Sequence, residues 1–388
     1  MTRILSYNQV MNILFITDLY PVEESETTTP KTLLNFVKEW EKQGHNVDVI
    51  KPNFILNSFL RGKPFYKTGK YGNVYNVNYW TPFWFNTTKK INSSTFQLFN
   101  PLTNYDLLIA HMPSGILFAD KLGLPFVAGI HNSDLTILTS PLYIFHFKKR
   151  MIRALKNAKA IACRSFVIKD KLLKIFPEFE NKTFVAPSGV DENIINNNYI
   201  TPSCLLDTLP MGEGSVGVGL SLKILTCAHF KKRKNIDKLI KACKDLEGVE
   251  LTIIGDGKIR KSLKKLDKNV IFTGELEPEK VLEKMRESDV FILPSVGETF
   301  GMVYLEAMAS GCITVCTKND GVSGIIKDGE NGFLTEPTVE DIKNTVLRIK
   351  NLSKDDFKMI LQNTFDTIKE YTSEKAAKNY LQQIFKIF

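Results

Sequence analysis

"DVFILPSVGETFGMVYLEAMASGCITVCT", Asp289 to Thr317, reads as a strand, a loop, a helix and a second strand. "DVFILP" and "ITVCT" are short apolar runs without alternation, the pattern of strands buried on both faces of a parallel sheet. Between them the loop "SVGET" leads into a helix that starts near Phe300 or Gly301 and runs to about Ser310. Repeated along a chain, this unit gives a parallel sheet with helices on both faces. Two acids, Glu298 and Glu306, stand eight positions apart in this otherwise apolar stretch, on either side of a Phe-Gly pair.

The same rhythm extends in both directions. In the first half, "NILFIT", "NVDVIK", "DLLIA", "PFVAGI", "AKAIAC" and "KTFVAP" read as strands, with a helix over Thr32 to Gln43. After a polar, glycine-rich stretch from Asn193 to Ser221 the series resumes with "LKILTCA", "VELTIIG" and "NVIFTG". Helices over Ile236 to Leu246, Lys258 to Leu266 and Pro278 to Glu287 separate these strands from one another and from "DVFILP". The expectation is an α/β protein of two Rossmann-like doubly wound domains, residues 1–195 and 221–371, joined by a linker, 196–220. The amphipathic end, "SEKAAKNYLQQIFKIF", is expected to cross back and complete the first domain over residues 372–388.

Composition narrows the classes. At 388 residues and 43% hydrophobic, the chain can bury two cores. Its longest weakly charged stretch, residues 122–147, is broken by Pro125, Asp134 and Pro141, so no apolar run of about 18 residues exists to span a bilayer. The start lacks the zones of a signal peptide, and Met11 is an alternative first residue; a cytoplasmic protein is expected. Six cysteines without paired CxxC spacing give no zinc pattern. The net charge of +9 is concentrated: Lys148 to Lys174 holds ten Lys or Arg against one acid, Asp170. Such a face suits an anionic lipid surface at the inner side of a membrane or a phosphate-bearing acceptor, or is a solvated helix face. Phe54 to Phe85 departs from the rhythm and ends in "YWTPFWF", which suits a membrane interface or a core. Nucleic acid is not an expected partner.

Ligands of open parallel sheets bind beyond the carboxyl ends of the strands. Gly301, without a side chain, lets a ligand reach the N–H groups of Phe300, Gly301 and Met302, where the helix dipole favours an anion such as a diphosphate. A carboxylate beside a phosphate is repulsive unless it accepts hydrogen bonds from ligand hydroxyls, so Glu298 and Glu306 point to sugars flanking the phosphates. The plainer alternative is that Glu298 caps the helix and Glu306 is a surface residue. A second phosphate-suited loop follows "LKILTCA": His229, Lys231, Lys232, Arg233 and Lys234 precede a helix opening near Asn235. Lys234 is placed there to neutralise a diphosphate as a point charge.

"GETFGMVYLEAMASGCITV" and "NGFL", with "HFKKRKNIDKLI" and "IIGDGKIRKSL" upstream and "SGVD" closing the first domain, resemble glycosyltransferase family 4. These are retaining enzymes of the GT-B fold, two Rossmann-like domains facing a cleft. The resemblance covers nearly the whole chain and is strongest from Lys223 to Pro337. It implies transfer of a hexose-type sugar from a nucleotide diphosphate sugar, with UDP the expected carrier, to a saccharide or lipid-linked saccharide in bacterial polysaccharide or lipopolysaccharide assembly. Glu298 and Glu306 match the family's Glu-x7-Glu motif, the first contacting the donor sugar and the second the ribose. Thr299, Phe300, Gly301 and Met302 lie between them on the donor. In the family an Arg and a Lys from the basic loop bind the diphosphate; Lys234 matches the Lys, while His229 stands at the Arg position, so Arg233 and Lys234 carry more of the charge. Backbone groups near Phe272 and Thr273 are the expected contacts of the base. "AGIHNSDL" is similar to the family's strand-end His motif and makes His131 a catalytic candidate beside Glu298 and Lys234, with Asp134 nearby and His111 the weaker choice.

Two departures stand out. The family's Gly-Gly turn after the first strand is replaced by "VEESETTTPK", where Thr27, Thr28 or Thr29 supplies hydroxyls or simply caps the next helix. "GDGKIR" imitates a dinucleotide fingerprint but has Arg260 in place of the third glycine. No Asp-x-Asp occurs, so neither a metal nor a cofactor is expected. The alternatives are a nucleotide-sugar epimerase of related fold and a donor-binding subunit with little activity.

Overall fold

The computed structural model describes residues 9–23, 26, 31–54, 66–79, 104–140, 145–196 and 221–388. Thr27, Thr28 and Thr29, the aromatic stretch beyond Tyr79 and linker residues 197–220 lie outside the described residues. The chain divides into two compact units, one of residues 1–164, 168–187 and 373–388, the other of residues 165–167 and 188–372.

In the first unit the strands are β1 (Asn12–Ile16), β2 (Asn46–Phe54), β3 (Gly69–Tyr71), β4 (Val74–Tyr79), β5 (Leu107–His111), β6 (Phe126–Ile130), β7 (Ala160–Cys163) and β8 (Thr183–Val185). They form a sheet of order β3-β4-β2-β1-β5-β6-β7-β8, parallel except for the β3–β4 pair. That hairpin falls in the segment whose sequence lost the rhythm. Asn76 fixes it, donating to the Tyr66 and Lys67 carbonyls at 3.1 and 3.0 Å.

The helix Thr32–Lys42 buries Leu33, Leu34, Phe36, Val37 and Trp40, one stripe at helical spacing. The C-terminal helix Ser373–Ile387 meets that stripe with Ala377, Tyr380, Leu381 and Ile384. Trp40 Nε1 donates to the Ala377 carbonyl at 3.0 Å, and Tyr380 stands edge-on to Trp40 and Phe36. The chain's last helix therefore completes the first unit's core.

The second unit is wholly parallel: β9 (Leu222–Cys227), β10 (Val249–Ile254), β11 (Ile271–Gly274), β12 (Val290–Leu293), β13 (Ile313–Thr317) and β14 (Phe333–Thr335) lie in the order β11-β10-β9-β12-β13-β14. Strand order reverses between β9 and β12, so the loops leaving these two strands diverge to opposite faces and open a crevice beyond their carboxyl ends. Those are the basic loop and the loop carrying Glu298. No helix among the described residues is long and apolar enough to cross a membrane.

Candidate active site

The two loops are tied to each other before any ligand is considered. Asn235 takes a left-handed conformation, φ 51°, at the head of the helix Ile236–Cys243, and its side chain donates to the Pro294 carbonyl at 2.8 Å. Asparagine tolerates that conformation better than most residues. The basic loop thereby ends against the start of the Glu298 loop. From the other side the Gly255-Asp256-Gly257 turn supports it: a Cβ on Gly255 would lie 2.0 Å from the Ala228 carbonyl oxygen, and one on Gly257 2.6 Å from that of Phe230. The motif that imitates a dinucleotide fingerprint is thus a seat for the basic loop. Gly255→Ala, at φ +125° as well as in a closed space, is expected to lower kcat/KM at least tenfold by displacing Lys234, while circular dichroism still shows a folded chain.

On this frame three donors converge on one carboxylate oxygen. Glu298 Oε1 receives Lys234 Nζ at 2.6 Å, Arg233 Nη1 at 2.7 Å and Ser295 Oγ at 2.5 Å. Burial alone pushes the Glu298 carboxyl up, but the charge and hydrogen bond of Lys234, the Ser295 hydroxyl and Arg233 together hold it below the ordinary value. It is a carboxylate at neutral pH. Arg233, expected to share the diphosphate with Lys234, here pairs with Glu298. His229 is exposed, and neither it nor Arg233 is in the lining of the cavity described next.

Glu298 and Glu306 line one cavity of about 560 Å³ with Lys234, Cys227, Gly301 and Met302. Glu306 sits in the helix Met302–Ala309, half-buried, and burial raises its carboxyl. Among the described residues no side-chain or backbone donor meets that carboxylate, so one acid of the pair is held on one oxygen by three donors and the other has none. Gly301 heads the helix at φ 94° with the Tyr304 ring where a Cβ would sit, 2.6 Å away, so only glycine leaves the first-turn N–H groups accessible. The Phe300 side chain is core, and Thr299 is half-buried.

Of the two residues whose backbone is expected to meet the base, the Phe272 ring packs on Phe230 at 6.3 Å and Thr273 Oγ1 donates to the Gly274 carbonyl. The apolar wall of the cavity comes from Leu276, Pro278, Val281 and Leu282, just past β11. Sequence reading also missed Ser295 and Asp320. Both are ordinary loop residues in the sequence; Ser295 acts on Glu298 three positions away in its own loop, whereas Asp320 reaches that loop from 22 residues on.

In the first unit His131 is 8% exposed and caps the helix Asn132–Thr139, its N–H donating to Asp134 Oδ2 at 2.7 Å. His131 Nε2 lies 3.0 Å from His111 Nδ1, and His111 Nε2 lies 3.0 Å from the Tyr380 hydroxyl. A Cβ on Gly129 would fall 2.2 Å from the His111 ring, so that glycine admits the pair. Burial, then the nearby Arg164 guanidinium, lowers His131 to about 3; His111 is lowered well below its usual value by burial and these neighbours. Both rings are neutral. Asp134 moves the other way, raised to about 7 chiefly by burial. Its folded form keeps a proton that the unfolded chain has lost, so stability falls as pH rises from about 4 to about 7 and is level above. Asp134→Asn should therefore be little changed in melting temperature near pH 4 and increasingly stabilised up to pH 7, as followed by thermal unfolding.

Comparison with known proteins agrees with the geometry. The family pattern "Glycosyl transferases group 1" matches residues 220–366, and "Glycosyltransferase Family 4" matches residues 30–194. An uncharacterised glycosyltransferase of Methanocaldococcus jannaschii is 26% identical over 94% of this chain and 95% of its own. The alpha-monoglucosyldiacylglycerol synthase of Streptococcus pneumoniae is 25% identical over 84% of this chain and 75% of its own. Among solved structures, Anabaena HepE in complex with UDP superposes with a TM-score of 0.67 at 17% identity, covering 96% of this chain and 99% of that one, a likeness of fold. With two matched patterns that between them span both units, and a topology shared with GT-B enzymes, the chain belongs to the family 4 glycosyltransferases.

Proposed function

We propose that this glycosyltransferase is retaining and moves a hexose-type sugar from UDP to a saccharide or lipid-linked saccharide acceptor. The observation that carries the reading is the pair of acids in one cavity, Glu298 held on Oε1 by Lys234, Arg233 and Ser295 and Glu306 with no donor among the described residues. The three donors use Oε1 only, which leaves Glu298 Oε2 for the sugar hydroxyls, and Glu306 for the ribose.

The diphosphate is assigned to Lys234, Arg233 and the N–H groups at the head of the helix Met302–Ala309, which stabilise charge as the leaving group departs. This neutralisation comes from the chain's own residues, without a metal or cofactor. The acceptor then attacks from the face the diphosphate leaves, and a leaving-group oxygen takes its proton. His131, neutral and weakly basic, is taken as a hydrogen-bonding contact rather than a base. UDP is favoured because HepE, the structural neighbour, was solved with it. A lipid-linked acceptor is favoured by the relative named for glucosyldiacylglycerol synthesis. Lys149, Lys156, Lys159 and Lys174 are exposed on the basic face and are proposed to meet an anionic membrane. Equal sedimentation with neutral and phosphatidylglycerol vesicles would sink that part.

The test is a screen of UDP, GDP and ADP sugars for donor hydrolysis and transfer, with NMR of the released anomer. Turnover of a UDP-sugar with its configuration kept is expected; an inverted anomer overturns the retaining assignment, and a 2-epimer formed without an acceptor revives the epimerase.

A further inference from the structure

The loop that carries Glu298 has a glycine at each end, Gly297 at φ 80° and Gly301 at φ 94°, and so little backbone stiffness of its own. A residue from a different strand holds it. Asp320, three positions past β13 and 6% exposed, accepts the Gly297 N–H on Oδ2 at 2.5 Å and the Glu298 N–H on Oδ1 at 2.8 Å. The same Oδ1 accepts the Gly321 N–H at 2.7 Å. Gly321 permits the approach: its φ is +50°, and a Cβ there would lie 2.9 Å from the Phe300 carbonyl oxygen and 3.3 Å from Glu298 Cβ.

We infer that Asp320 is a positioning residue for Glu298, a two-oxygen clamp on consecutive backbone N–H groups that brings the Glu298 carboxylate to Lys234 and Arg233. The arrangement is costly as plain loop anchoring, because it sets a second carboxylate close to the one that must draw the cations. Charge-assisted hydrogen bonds to two neighbouring N–H groups offset that cost and fix the loop in both translation and twist. The inference goes further than the proposed function and rests on it only for the consequence in catalysis; the geometry of the clamp stands without a ligand.

Two effects of removing the Asp320 charge have opposite signs, and this separates positioning from simple electrostatics. Loss of a nearby negative charge by itself lowers the Glu298 pKa. Loss of the clamp lets Glu298 leave Lys234 and raises it. The experiment is a ¹³C NMR titration of the Glu298 carboxyl in the full chain, wild type against Asp320→Asn. A rise of about one pH unit is expected; a fall or no change overturns the inference. Gly321→Ala, which keeps the Asp320 carboxylate and pushes on the loop from beside it, is the second variant should Asp320→Asn not fold, and the same rise is expected. Binding of inorganic diphosphate to wild type and Lys234→Ala is measured in parallel. Equal binding by the two sinks the donor-site reading and leaves the titration to decide the role of Asp320.

Discussion

Glu298→Gln is expected to cut sugar transfer by roughly a hundredfold while tightening the hold on free UDP. The two effects come from the two oxygens of one carboxylate. Oε1 engages Lys234, Arg233 and Ser295, so it competes with any diphosphate that approaches the same cations. An amide of equal size keeps a hydrogen-bond acceptor and removes the charge. At short range in a partly shielded site, an ion pair is worth on the order of a few kcal/mol before screening. Arg233 is nearly half exposed, 45% of its side chain, so the discounted expectation is a Kd for UDP about tenfold lower at low salt. Transfer needs the other oxygen on the sugar, and losing a contact made as charge develops typically costs roughly a hundredfold to a thousandfold in kcat. Calorimetry with UDP and a transfer assay read the two effects separately. Unaltered transfer would remove Glu298 from the sugar. Weaker UDP binding would show that its carboxylate helps the diphosphate and does not compete with it.

That division of one side chain could not be read from the Glu-x7-Glu spacing, although much around it could. The strands were legible because parallel strands buried on both faces are continuous apolar runs: "DVFILP" contains β12 and "ITVCT" is β13. Helix ends were less so. The expected helix over Lys258 to Leu266 is only Arg260–Leu263, since the preceding glycines are spent on seating the basic loop. The hairpin β3–β4 escaped notice because it is held by asparagine side chains, which carry no periodicity. At the site, both acids, Lys234 and the glycine at the helix head were visible because each belongs to one continuous stretch. Asp320 lies 22 residues from the N–H of Glu298 that it binds, and Tyr380 lies 269 residues from His111. Such pairs follow from strand order, which a single sequence does not display. Backbone contacts of the base, expected near Phe272 and Thr273, leave no mark in side-chain types, so a sequence alone does not orient them.

Lys234→Ala should be the more damaging substitution, because it removes a charge used by two partners at once. Lys234 is the leading influence that offsets burial and lowers the Glu298 carboxyl. Without it the diphosphate loses a point charge in a site where only 14% of the lysine side chain meets solvent. A drop in kcat/KM of roughly a thousandfold is expected, with UDP bound more weakly. The pH profile then separates the two partners. In the wild type Glu298 stays ionised below the ordinary carboxylate range, so activity that depends on it is lost only as pH falls through that depressed value. In Lys234→Ala the carboxyl moves up, and the acid limb of residual activity should shift to higher pH. Lys234→Arg keeps the charge but not the compact ammonium, so it should restore the acid limb more fully than the rate. A variant that loses rate with its acid limb unmoved would mean that Arg233 and Ser295 hold Glu298 unaided, and that Lys234 serves the diphosphate alone.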